Sequence, residues 1–145
     1  MTARSAALAG LSAIVLVVAL PASAQEFVEL TGGFGPDSHN VTAYAGGDID
    51  AASIAGGCVG MVGEGDQVTL SFTAYGGPLI ITAYSEADTS LVVNGPDGRW
   101  YCNDDTDGLN PQVRWNTARS GVYNIRVGAV SGSAQGVPVV VAFME

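Results

Sequence analysis

The residues with the clearest chemical potential form a short acidic loop. Asn103, Asp105 and Asp107 occupy alternate positions, and Gly108 follows them. Ca²⁺ binds several hard oxygen ligands at about 2.3–2.6 Å, and alternate side chains on a tight turn can supply them. The loop half-matches the calcium-loop pattern D-x-[DN]-x-[DN]-G, with asparagine at the first position. Arg114 stands where that pattern requires a bidentate glutamate, so the loop is not an EF-hand.

Five residues make up the predicted calcium ligand set: Asn103, Asp104, Asp105, Asp107 and Asp88. Backbone carbonyls are the further donors that such a loop offers. The alternative is a solvated polar turn, because asparagine, aspartate and glycine dominate turns without any metal. The crowded carboxylates repel one another, and either a cation or the guanidinium groups of Arg99 and Arg114 would relieve that repulsion. The sequence leaves both interpretations open.

The sequence gives little support for a catalytic centre. His39 is the sole histidine, and Asp37 and Ser38 flank it in a glycine-rich segment. A triad needs a base, an orienting group and a nucleophile that converge in space, which adjacent residues rarely achieve. The chain has neither G-x-S-x-G nor H-E-x-x-H, and it supplies a zinc site poorly. We therefore predict no catalytic residues; the alternative is a secreted hydrolase that uses the acidic loop.

Aromatic residues cluster around the same loop. Trp100, Trp115 and Tyr123 fall on the apolar side of their predicted strands, which predicts that they belong to the core. Tyr101 and Tyr84 are predicted to face outward. The alternative is a carbohydrate-binding face built from these rings.

The first 24 residues are typical of a secretory signal peptide. A short start containing Arg4 precedes an apolar stretch from Leu8 to Leu20, and small residues lead to a cleavage site after Ala24. A retained anchor helix is the alternative, but the apolar stretch is shorter than the roughly 20 residues that span a bilayer, and Pro21 interrupts it. We predict a periplasmic or secreted protein, with residues 25–145 as one domain and no membrane insertion after cleavage.

The two cysteines and the charge support an exported domain. Cys58 and Cys102 lie in the mature part, where an oxidising compartment favours a disulfide between them; two separately buried thiols are the alternative. The mature part contains four arginines, no lysine and fourteen acidic residues. This acidic balance argues against nucleic-acid partners and is compatible with cations or basic partners.

Apolar residues alternate with polar ones through most of the mature chain, broken every eight to twelve residues by glycine, proline, asparagine or aspartate. Val68–Ala74 and Leu79–Tyr84 are predicted to form a hairpin around Gly76-Gly77-Pro78. Val137–Phe143, apolar on both sides, is predicted to be a central or covered strand. Nine or so short strands predict an all-β fold, a β-sandwich of jelly-roll or Greek-key type.

The C-terminal half resembles a known family. The order and spacing of short motifs carry the resemblance: Asp88, Leu91-Val92-Val93, Pro96-Asp97-Gly98, Asp104-Asp105, Gly121-Val122-Tyr123 and Val127. This order resembles the bacterial pre-peptidase C-terminal (PPC) domain and, more closely, small secreted PPC-like proteins. Ser90 stands where the family's D-x-D-L opening has its second acidic residue. The resemblance implies a non-catalytic β-sandwich attached to, or exported beside, secreted peptidases and other hydrolases, and calcium binding through acidic loops in some relatives.

Together these features predict an exported, disulfide-closed binding or accessory protein, with calcium as its one candidate cofactor. Its partner is an unidentified protein or polysaccharide. A further hypothesis is a structural protein that self-associates through an exposed sheet edge.

The calcium hypothesis predicts that the melting temperature of the mature protein rises with added calcium and falls with a chelator. A ligand that binds only the folded state stabilises that state by mass action. A midpoint unchanged by either addition would remove calcium from the account.

Overall fold

The computed structural model describes residues 24–145. The predicted signal peptide, apart from Ala24, lies outside these residues, and its cleavage stays a prediction. Across residues 24–145 no helix has the length and apolar character needed to cross a membrane.

Eleven strands and two short helical turns make up the described chain. The strands are β1 (Glu26–Thr31), β2 (His39–Tyr44), β3 (Ile49–Asp50), β4 (Met61–Val62), β5 (Val68–Thr73), β6 (Leu79–Tyr84), β7 (Thr89–Asn94), β8 (Trp100–Asn103), β9 (Gln112–Trp115), β10 (Gly121–Ala129) and β11 (Pro138–Met144). The helix α1 covers Ala51–Ile54, and a 3-10 turn covers Gly132–Ala134. Strands therefore dominate, as the alternation predicts.

The strands form two packed sheets, which confirms the predicted all-β sandwich. In the first sheet β1, β5, β10, β7 and β8 lie side by side, and β4 and β3 extend it next to the end of β10. The second sheet has the order β2-β11-β6-β9. β1 and β5 run parallel, whereas β10 pairs antiparallel with β5, β4 and β7. β10 is thus the strand on which most of the first sheet depends.

Apolar rows from both sheets meet in one main core. β5 contributes Val68, Leu70 and Phe72, and β10 contributes Tyr123 and Ile125 from the same sheet. Leu79, Ile81, Val139, Val141 and Phe143 face them from the second sheet. All of these side chains are at most 3% exposed. Full burial of one aliphatic or aromatic side chain of this size contributes about 1.5–3 kcal/mol, so this layer supplies the main driving force for folding.

The predicted hairpin between Val68–Ala74 and Leu79–Tyr84 is wrong. β5 pairs with β1 and β10, whereas β6 pairs with β11 and β9 in the other sheet. The Gly76-Gly77-Pro78 turn carries the chain across the sandwich. Each of the two strands buries its apolar face against the other sheet. The alternation of apolar and polar residues is the same whether the next strand pairs in the same sheet or lies in the facing sheet.

The last strand is central in its sheet, as predicted. β11 lies between β2 and β6 in the second sheet. Its outward-facing Val140 remains 41% exposed. Ala142, two positions further along the same outer row, is only 2% exposed, so the outer face of β11 is open at Val140 and covered at Ala142.

The prediction that Tyr101 faces outward is wrong. Tyr101 packs against the main core, whereas Trp100 and Cys102 lie on the other face of β8, in a second small core with α1 and Val62. The sequence indicates correctly that Trp100 and Cys102 share a face. It does not show that the segment between β3 and β4 folds over the outside of the first sheet and makes that face apolar. Tyr84 is 43% exposed, as predicted.

The predicted disulfide is confirmed. Cys58 and Cys102 are bonded, with their Cα atoms 5.4 Å apart. Cys58 is 3% exposed and belongs to the second small core, with Val92 beneath it. The bond therefore fixes the segment that follows α1 to the outer face of β8.

Replacement of both Cys58 and Cys102 by alanine is expected to lower the free energy of unfolding by about 2–4 kcal/mol. The bond joins residues 44 positions apart, and its loss restores the chain entropy of that loop to the unfolded state. Urea denaturation of the mature protein measures the change. A loss below about 0.5 kcal/mol would contradict a stabilising role for the bond.

Candidate functional site

The acidic loop joins β8 to β9 and is organised by its own hydrogen bonds. Asn103 Oδ1 accepts a hydrogen bond from Thr106 Oγ1 at 2.8 Å and another from the Gln112 backbone N–H at 2.9 Å. At the tip, Asp107 and Asn110 form a small antiparallel bridge through backbone bonds of 3.1 and 3.2 Å. Asn103 therefore acts as the organiser of the loop, a role that the calcium pattern did not predict.

The carboxylates of the predicted ligand set do not form a compact group. Asp105 and Asp107 are exposed, and Asp104 and Asp88 are half-buried. In the part of the chain that the structure describes, no three His, Cys, Asp or Glu side chains are placed to hold a metal ion. The structure thus brings Asn103 together with Thr106 and Gln112. Calcium binding stays a prediction, which the melting experiment with calcium and a chelator tests.

A cleft of about 930 Å³ lies at one edge of the sandwich. Its walls are Thr42 and residues 44–47 at the end of β2, residues 63–67 before β5, residues 135–136 before β11, and Ala24 and Glu26 at the start of β1. Ala24 is the last residue of the predicted signal peptide, so cleavage would remove this one residue from the wall. β1 and β2 are edge strands of the two sheets, so the cleft opens where the sandwich is not closed by a neighbouring strand. Its volume is within the usual range for ligand-binding sites, about 300–1,000 Å³.

Gln67 fixes one wall of this cleft to the centre of the first sheet. Its Nε2 donates to the Tyr44 carbonyl at 2.9 Å and to the Val127 carbonyl at 3.2 Å. Its Oε1 accepts from the Val127 N–H at 2.8 Å. One side chain thus joins β10 to the end of β2 in the opposite sheet. The walls of the cleft are therefore held in place before any ligand arrives.

Gln135 holds the opposite wall through two hydrogen bonds to the Gly47 backbone, one to its N–H and one to its carbonyl. Its Oε1 accepts from the Gly47 N–H at 3.1 Å, and its Nε2 donates to the Gly47 carbonyl at 3.0 Å. A Cβ on Gly46 would overlap the Gln135 side chain, and a Cβ on Gly47 would overlap the Val62 carbonyl. Gly46 also has a φ of 104°, a conformation that favours glycine. These close approaches explain the Gly46-Gly47 pair.

The charge of the cleft is negative. Glu26 and Glu64 are exposed in its lining, and neither forms an ion pair within residues 24–145. Asp66 is different, because its Oδ1 lies 3.0 Å from Arg126 Nε. Arg126 also donates to the Gly63 carbonyl at 3.3 Å, which ties the same loop to β10. Two free carboxylates therefore remain at the cleft, beside the half-exposed ring of Tyr44.

Comparisons with solved structures found proteins of similar fold. No protein-family model matches the chain, and no curated protein matches it. The chain is similar to the crystal structure of Aeromonas hydrophila PliG, a periplasmic lysozyme inhibitor of g-type lysozyme, with 17% identity and a TM-score of 0.43. That similarity covers 83% of this chain and 98% of the other. The resemblance to PPC domains stays a prediction.

Sequence reasoning did not find the cleft. Its lining comes from four separate stretches of chain, which include the loops around Gly46-Gly47 and Gly63–Gln67. In sequence these stretches read as ordinary glycine-rich loops. The one available signal was the alternation of glycine with Glu64 and Asp66, and that signal does not indicate which other residues lie opposite.

Replacement of Gln67 by leucine is expected to lower the free energy of unfolding by about 2–3 kcal/mol. The change removes the side-chain partners of the Val127 N–H and the Tyr44 carbonyl, and unpaired buried polar groups are costly. Gln25→Leu is the matched control, since exposed Gln25 makes one bond, to Thr69 Oγ1, and its loss is expected to cost less than about 0.5 kcal/mol. Equal losses in the two variants, measured by urea denaturation, would show that Gln67 does not hold the cleft.

Proposed function

We propose that the mature chain is an exported, non-catalytic binding protein whose cleft receives a cationic segment of a protein partner. One observation carries the proposal: Glu26 and Glu64 present free carboxylates in a concavity whose walls are already fixed by Gln67 and Gln135. A fixed site loses little conformational entropy on binding, so more of the contact energy appears as affinity.

The charge of the whole protein favours a basic partner. The chain has a formal net charge of −9 at pH 7. Such a field attracts cationic surfaces at long range and raises association rates. Arginine side chains suit the cleft in particular, because a guanidinium group can bond one carboxylate through two parallel N–H groups. Tyr44 supplies an aromatic face on which a guanidinium group can also rest.

The composition of the cleft supports binding without catalysis. Its lining offers carboxylates, amides and backbone groups, with no histidine or cysteine among the residues that form it. His39 lies at the opposite end of β2 from Tyr44, five residues along an extended strand, or roughly 17 Å. Only a carboxylate could therefore act as a general base in the cleft, because the histidine that most acyl-transfer sites use for this role is not part of its lining.

Titration of ¹⁵N-labelled mature protein with a hexa-arginine peptide tests the proposal. We expect saturable shifts of the backbone signals of residues 42–47 and 63–67 and of the Gln67 and Gln135 side-chain amides. The double variant Glu26→Gln/Glu64→Gln is expected to bind about five- to tenfold more weakly, because two close charge pairs are lost. Added salt should weaken binding to the unmodified protein.

The matched control is the double variant Glu29→Gln/Glu86→Gln. It changes the net charge by the same amount at exposed glutamates that do not line the cleft. Its affinity for the peptide should stay within about twofold of the unmodified protein, since distant exposed charges are largely screened. Equal weakening in both double variants would assign the binding to overall charge and contradict a specific site.

A further inference from the structure

A second, smaller concavity lies at the other edge of the sandwich. It has a volume of about 220 Å³, and we refer to it as the aromatic pocket. Three rings and three charged side chains line it: Tyr101, Trp115, Tyr123, Asp97, Arg99 and Arg119. β8 and β9 form this edge, whereas β1 and β2 form the edge with the cleft. The two sites are therefore separate.

The rings of the aromatic pocket hold one another in fixed orientations. Trp115 meets Tyr101 edge to face at 5.1 Å between ring centroids, and it meets Tyr123 at 4.9 Å. Such pairs are favourable beyond their burial alone. Tyr123 is 1% exposed and belongs to the core, whereas Trp115 and Tyr101 are half-buried. The pocket thus presents the accessible parts of two rings on a rigid support.

Asp97 is fixed and charged beside these rings. Its Oδ2 accepts a hydrogen bond from the Tyr101 hydroxyl at 2.6 Å, and its Oδ1 accepts one from the Arg99 N–H at 3.1 Å. The hydrogen bond from Tyr101 has the larger effect and that from the Arg99 backbone the smaller. Both lower the pKa of Asp97 from its usual value, so the carboxylate stays ionised at neutral pH. The pocket therefore contains one oriented acceptor for hydroxyl groups.

The backbone of Arg119 is tied to the floor of the pocket. The Tyr123 hydroxyl donates to the Arg119 carbonyl at 2.8 Å and accepts from the Arg119 N–H at 3.2 Å. The guanidinium groups of Arg99 and Arg119, in contrast, form no ion pair in the described part of the chain, and both residues are exposed. In a protein with fourteen acidic residues, two such arginines at one small pocket are an unusual concentration of free positive charge.

We propose that the aromatic pocket binds a single sugar unit that carries a carboxylate, such as a hexuronic acid residue. The guanidinium groups of Arg99 and Arg119 bond the carboxylate, and the Trp115 ring contacts the apolar face of the sugar. Asp97 accepts hydrogen bonds from sugar hydroxyls. The volume is below that of most drug-sized ligand sites, which fits one ring rather than a longer oligosaccharide.

The experiment uses the two tryptophans of the chain as its reporters. In an NMR titration with D-glucuronate, the Trp115 indole signal is expected to shift saturably, with a dissociation constant of about a millimolar. The Trp100 indole should not shift, because Trp100 packs in the small core on the outer face of the first sheet, under Arg126. D-Glucose and acetate serve as probes of the ring alone and of the carboxylate alone.

Two arginine variants separate the pocket from bulk charge. Arg119→Gln keeps the backbone groups that bond Tyr123 and is expected to weaken glucuronate binding roughly tenfold or more, because a charge-assisted contact is lost. Arg114→Gln makes the same charge change on the outer face of β9, where Arg114 bonds Asn116, and should bind as the unmodified protein does. The unshifted Trp100 signal confirms that each variant is folded.

Three results would overturn the proposal. The first is no saturable shift of Trp115, and the second is equal weakening in Arg119→Gln and Arg114→Gln. The third is acetate binding as tightly as glucuronate, which would assign the pocket to a carboxylate of any origin, such as an acidic side chain of a protein. Glucuronate binding well above that of both glucose and acetate supports the proposal.

Discussion

The pairing of β10 along both of its edges is the constraint on which the rest of the structure depends. This nine-residue strand bonds β5 and β4 on one side and β7 on the other, and its inner residues lie in the main core. Both candidate sites are attached to it. Gln67 fixes the cleft through the Val127 backbone, and the Tyr123 hydroxyl fixes the loop of Arg119 at the aromatic pocket.

Opposite charges occupy opposite edges of the sandwich. The cleft at the β1 and β2 edge presents Glu26 and Glu64, whereas the aromatic pocket at the β8 and β9 edge presents Arg99 and Arg119. The described side chains form one close ion pair, Arg126 with Asp66, and it serves to hold a loop in place. Most charged side chains of the described residues therefore form no ion pair, and the aromatic pocket also contains the carboxylate of Asp97.

The sequence predicts the layer architecture well because the physical cause is local. Alternating apolar residues bury one face of a strand whatever its neighbours are, and an exported chain favours a disulfide between its two cysteines. It predicts pairing less well. β5 and β6 are separated by a turn that suits a hairpin, yet they lie in different sheets, because a facing sheet buries the apolar row of Leu70 and Phe72 equally well. Tyr101 was placed on the wrong side because the second small core depends on a distant segment folding over β8.

The candidate sites were harder to predict, since their parts come from remote positions. The loop pattern predicts Asn103 as a calcium ligand, whereas its Oδ1 accepts hydrogen bonds from Thr106 and Gln112. The side chains that shape the cleft, Gln67 and Gln135, act on backbone groups far away in the chain, and no local pattern indicates such a bond. Likewise Trp115 was predicted as core and proves to be shared between the core and an accessible pocket.

Residue-resolved hydrogen exchange of native mature protein tests the central role of β10 most directly. The account predicts that the amides of Tyr123–Ala129 exchange only through global unfolding, so that their opening free energy equals the free energy of unfolding from urea denaturation. Amides at the edge strand β1 should exchange faster through local opening. Exchange of the β10 amides at rates as fast as those of β1 would contradict the account.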